Sequence, residues 1–146
     1  MSRIFKTVLL IIIASTFSTA AIAADRAYDK KHPWHITLVE TKPGMYDDYL
    51  ADLKNVWRKF MEEEKKAGNV LSYKMFNMIG TDKGRANLVL MVEYKNWAVF
   101  DRSYDDWDKL IEKVMGSMDK AQQATIDRGA LRTILGERIA EEIVFK

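Results

Sequence analysis

The chain has no cysteine, which removes disulfides, thiol nucleophiles and cysteine-ligated metals from consideration. Histidine is nearly as scarce: its two copies both fall in one stretch, His32-Pro33-Trp34-His35. Three residues apart on an extended chain, the two imidazoles project to opposite faces and do not chelate one ion. A zinc site would need two more ligands, drawn from carboxylates or water, so no metal is expected. Phosphate loops, nucleophile motifs and dinucleotide fingerprints are also missing. So are internal repeats, low-complexity segments and inner linkers. No cofactor is expected.

The first 23 residues have the three-part layout of a secretory signal: Arg3 and Lys6, an apolar run from Val8, then small residues finishing in Ala21-Ile22-Ala23. From Val8 to Ala24 there are 17 uncharged residues, against the roughly 20 of a spanning helix. The crowding of Ala, Ser and Thr into its second half points to cleavage after Ala23. An exported protein, periplasmic or extracellular, is expected, with no stable membrane insertion once the signal is gone. Arg3 and Lys6 leave with it, so 21 basic and 21 acidic side chains remain of the 23 and 21 in the full chain. A balanced surface of this kind gives no basic face for nucleic acid. The remaining 123 residues suffice for one core. Residues 24–31, mostly polar, read as a flexible lead-in to a single domain at 32–146.

Alternation from Trp34 to Glu40 predicts a strand, with Trp34, Ile36 and Leu38 on a buried face and His35, Thr37 and Val39 on the other. After Lys42-Pro43-Gly44, apolar residues at Tyr46, Tyr49, Leu50, Leu53, Val56, Trp57 and Phe60 predict one amphipathic helix ended by Gly68. Residues 70–79 and 86–94 read as a hairpin around Gly80 and Gly84. Asn96 is a helix cap, followed by a stripe from Trp107 to Thr125 in which Gly116 is a kink or a split and Gly129 the end. The last stretch suits a strand, with Gly136 at a bulge or at its start, although GERIAEEI also satisfies a helix.

The order β-α-β-β-α-β is the ferredoxin-like plan, an α+β fold with one antiparallel sheet in strand order 4-1-3-2 and two helices on one face. In this reading the first strand runs antiparallel to the fourth and parallel to the third. The uncovered face, carrying Val39, Val89, Met91 and Val144, predicts a homodimer through that face.

A first strand ending in Lys-Pro-Gly, a helix starting at Met45-Tyr46 with aromatic residues in its stripe, a hairpin, Asn96-Trp97 before the second helix and a charged last strand together resemble the dimeric α/β-barrel superfamily. That superfamily includes antibiotic-biosynthesis-type monooxygenases and NIPSNAP-like proteins. The resemblance implies two sheets facing each other in a dimer and a ligand held between helices and sheet. Haem-degrading members carry a ligating histidine on the second helix, and no histidine lies between Asn96 and Gly129. Cofactor-free oxygenase members use asparagine, tryptophan and arginine, for which Trp34, Trp57, Trp107, Asn77 and Arg132 are equivalents by type.

Two site readings follow. His35, expected to face the dimer partner near Asn87 on one side and Glu142 or Val144 on the other, would be either a general base or a structural hydrogen-bonding group. Arg138 and Glu93 would meet at the opposite end of that face as an ion pair. Trp34, Trp57, Tyr73 and Trp107 would be core, or the walls of a pocket for a flat apolar or aromatic ligand. The function classes these readings support are a noncatalytic ligand-binding dimer and, as the alternative, a cofactor-independent monooxygenase or isomerase using His35 or Arg132.

Overall fold

The computed structural model describes residues 25–80 and 83–146. The expected export signal lies outside the described residues. Strand β1 spans Tyr28–Thr41, α1 Tyr46–Asn55, α2 Trp57–Lys66, β2 Val70–Asn77, β3 Leu88–Tyr94, α3 Tyr104–Met115, α4 Met118–Leu131 and β4 Arg132–Phe145. A 3-10 turn, Trp97–Asp101, precedes α3. No helix among the described residues is long and apolar enough to cross a membrane.

Local chemistry explains most boundaries. The first helical stripe is continuous in sequence, but the helix breaks at Val56, where φ is −117° and ψ −69°. Asn55 and the β-branched Val56 are both weak helix formers. Asn96 caps the 3-10 turn, its Oδ1 accepting from the Ala98 amide at 3.1 Å. Gly116 splits the second stripe: at φ +85° it closes α3 in the left-handed region, and Ser117 then caps α4. Gly129 does not end α4, which runs on to Leu131.

The sheet order is β2-β3-β1-β4 and every neighbouring pair is antiparallel. This is the ferredoxin-like fold. The parallel pairing expected between β1 and β3 is corrected: α1 and α2 return the chain so that β2 runs with β1, and the hairpin then reverses β3. β1 begins at Tyr28, because β4 is long enough to pair Tyr28, Asp29 and Lys30 with Phe145, Val144 and Ile143. The second half of the polar lead-in is therefore strand. In β4, Leu38 pairs with Gly136 and Val39 with Ile134, leaving Leu135 as the extra residue of a bulge beside the glycine.

The two faces of β1 are the reverse of the expected ones. Val39 is fully buried and packs with Tyr49, Leu53, Leu88 and Leu90 under the helices. His35 and Thr37 share that side. Trp34, Ile36 and Leu38 point to the open face, where the register sets them beside Glu93, Met91 and Val89. Both stripes of β1 are apolar enough to be buried; the small Val39 is the one that fits beneath Tyr49 and Leu53. Val89, Met91 and Val144 do belong to the open face, with Phe76 of β2 added to them. A second core group, Met61, Val70, Val92, Tyr94 and Val99, continues the helix-side core, and Trp57 packs against both groups.

Candidate functional site

Between the helix layer and the sheet lies a cavity of about 260 Å³. β1 and β3 supply its floor through His35, Thr37, Leu90 and Val92, while α1 and α2 supply Tyr49, Leu53, Trp57 and Met61. The remaining wall is polar, formed by Arg128 of α4 with Arg132 and Glu137 of β4. A second, apolar cavity of about 280 Å³ lies on the other side of Trp57, lined by Leu50, Leu53, Tyr73 and Met75. The Trp57 indole meets the Tyr73 ring edge-on at 5.1 Å.

The polar wall is held from beneath. Arg128 Nε donates to Asp52 Oδ2 at 2.7 Å, and Arg132 Nε donates to Tyr49 Oη at 3.1 Å. The Arg132 guanidinium also lies 5.7 Å from the Tyr49 ring centre. Burial raises the Tyr49 phenol above its ordinary pKa, and the neighbouring Arg132 charge offsets part of that rise. His35 Nε2 stands 3.9 Å from Glu137 Oε2, an ion-pair distance beyond hydrogen-bond range.

Three of the residues singled out in the sequence therefore meet in one cavity: His35, Arg132 and Trp57. His35 reaches it from the helix side, not from a dimer interface. Its β3 neighbour is Val92, not Asn87, because β1 and β3 are antiparallel, and its β4 neighbour is Ile139, not Glu142 or Val144, because the register of that pair differs from the expected one. Tyr73 lines the second cavity, its hydroxyl donating to Glu62 Oε1 at 2.6 Å. That bond leads the causes that raise the Tyr73 pKa and lower that of Glu62.

Trp34 and Trp107 line neither cavity. Trp34 is on the open face, donating through Nε1 to Glu142 Oε2 at 3.4 Å, with the Lys74 ammonium 5.2 Å from its ring. Trp107 lies 4.0 Å from the Arg102 guanidinium, which pairs with the buried Glu64. Asn77 ends β2 opposite Leu88 and lines neither cavity. Arg138 and Glu93 do not pair with each other across strands: Arg138 pairs with Ile36 and Glu93 with Trp34. Tyr49, Asp52, Arg128 and Glu137 are cavity or supporting residues that sequence reasoning missed. Arg128 lies in the last turn of α4 and Arg132 opens β4, so the packing of the helix against the strand, not a local spacing in the sequence, brings the two guanidinium groups to one wall.

His32 stays on the open face, its Nδ1 3.0 Å from Glu93 Oε1, while Ser72 Oγ donates to the other oxygen of Glu93 at 2.6 Å. Among the described residues, no three His, Asp or Glu side chains are placed to hold a metal ion. A larger groove of about 450 Å³ between α1, α2 and α3 is lined mostly by charged side chains. There Lys113 and Lys66 hold the Glu63 carboxyl down at about 2. Five cations and two carboxylates line it, and it has no aromatic wall.

No family model and no curated protein matches the sequence. Solved structures resemble its fold. HapK from Hahella chejuensis superposes with a TM-score of 0.51 at 11% identity, over 75% of this chain and 91% of that one. Protein SO0527 from Shewanella oneidensis gives 0.45 at 11% identity, over 80% and 98%. A dimeric ferredoxin-like protein from an uncultured marine organism gives 0.46 at 10% identity, over 80% and 90%. These likenesses are of fold. They carry no support for the narrower monooxygenase or NIPSNAP-like groups.

Proposed function

We propose that the chain is exported, pairs through its open sheet face with a second copy to form an α/β barrel, and takes a small apolar or aromatic molecule into the helix-side cavity without catalysis. The observation that carries this reading is the cavity itself, whose apolar floor and Trp57 wall meet a small number of convergent polar groups. Dimerisation is supported by the open face, where Trp34, Ile36, Leu38, Phe76 and Met91 form an apolar surface that no helix of the same chain covers. Lys74, Glu93 and His32 give it a polar margin.

The meeting of His35, Arg132 and Tyr49 beside Trp57 favours a second reading, a cofactor-independent monooxygenase or isomerase. The noncatalytic reading is preferred because no hydrogen bond from the described residues fixes the His35 ring, and Glu137, the carboxylate 3.9 Å from it, is 56% exposed. A general base usually has a partner that orients it.

Native mass spectrometry of the protein purified from its envelope tests the reading. The expected mass is that of two mature chains, with a small molecule released on denaturation and recovered unchanged after incubation in air. Met91→Arg, which places a charge at the centre of the apolar face opposite Ile36, should give a folded single chain. A wild-type monomer would contradict the barrel, and turnover of the released compound would favour the enzyme.

A further inference from the structure

Arg132 is a cation with a neutral partner. Its Nε bonds to the phenol of Tyr49, and neither terminal nitrogen has a hydrogen-bond partner among the described residues. Arg128, the other guanidinium in the cavity, is already matched by Asp52 at 2.7 Å. Among the described residues Glu137 is the one carboxylate that lines the cavity, and its side chain is mostly exposed. Arg132 is only partly buried, so its terminal nitrogens are open to solvent and to an arriving anion, which they can hold in charge-assisted hydrogen bonds.

Resting on the proposed ligand-binding role, we infer that the cavity recognises an aromatic carboxylate, its acid group held by the free edge of Arg132 and by the Tyr49 hydroxyl, its ring against Trp57. Planar guanidinium matches carboxylate in a fork of two parallel N–H···O bonds. Tyr49 contributes because its oxygen already accepts from Arg132, which leaves its own proton to donate. Burial keeps that phenol protonated across the neutral range. Leu53, Leu90 and Val92 provide the apolar surround for the ring. The volume sets the size: a cavity of roughly 150 Å³ accommodates benzene, so about 260 Å³ suits one ring or two fused rings with a short acidic group.

Titration calorimetry of the mature dimer with 2-naphthoate and 2-naphthamide, nearly the same shape but differing in charge, tests the inference. Naphthoate should bind roughly tenfold to a hundredfold more tightly, the worth of a charge-assisted contact. Arg132→Gln should abolish that preference, bringing naphthoate affinity down to that of naphthamide for the same variant, and Arg132→Lys, which keeps the charge and loses the fork, should retain part of it. Equal affinity of the two probes for the wild type would overturn the carboxylate inference and leave ligand binding standing. So would a preference that survives in a folded Arg132→Gln protein. Failure of both probes to bind would remove the ligand-binding reading and this inference with it.

Discussion

Replacing Arg102 with alanine should cost about 3 to 5 kcal/mol of folding stability, the usual result of removing one partner from a buried ion pair. Glu64 on α2 is only 3% exposed, and both its carboxylate oxygens lie 2.9 Å from Arg102 Nη1. Asn69 Nδ2 adds a third bond at 3.2 Å. Without Arg102 the carboxylate would remain in the interior with one amide for company, and Trp107 would lose the cation beside its ring. Urea denaturation followed by circular dichroism measures the loss. Replacing Glu64 and Arg102 together with methionine should restore much of it, since an apolar pair of similar volume often substitutes well for a buried ion pair. A loss below about 1 kcal/mol in the single variant would mean that the pair behaves as a solvated surface bridge.

Trp57→Ala should cost about 2 kcal/mol and abolish binding of naphthamide. Truncating a wholly buried aromatic residue costs about 3 to 5 kcal/mol. Trp57 is only partly buried, and it stands between two cavities that deprive its faces of packing partners. Its contacts with both core groups and with the edge of Tyr73 keep the cost above that of a surface residue. The same denaturation experiment separates the cases: a loss of about 4 kcal/mol or more would identify Trp57 as ordinary core and argue against a ligand beside it.

The element order, the ferredoxin-like plan and the bulge at Gly136 were legible because each has a local signature in alternation, helical spacing or glycine. The Gly116 split was legible for the same reason. The side of β1 that faces the helices was not. Alternation separates Trp34, Ile36 and Leu38 from His35, Thr37 and Val39, yet the choice between the stripes is made by Tyr49 and Leu53, which come from another element and leave room above the sheet only for Val39. Strand direction had a larger effect on the site. Running β3 parallel to β1 moved His35 away from Val92 and toward Asn87, although the topology of two hairpin-joined strands settles the matter. Arg132 and Trp57 were identifiable by residue type, but their meeting with His35 depends on α1, α2 and β4 packing against one sheet. Trp34 and Trp107 show the limit of type alone: one faces away from the helices, and the other stacks on an arginine that neutralises Glu64.

The most direct measurement is a methyl and amide NMR titration of the mature protein with 2-naphthamide, a neutral probe that tests occupancy of the cavity apart from any preference for charge. The expected result is saturable shifts at Leu53, Trp57, Leu90 and Val92, little change at Ile36 and Met91 on the open face, and unaltered naphthamide at the end. Shifts confined to the open face, or none at ligand excess, would contradict a ligand site between the helices and the sheet.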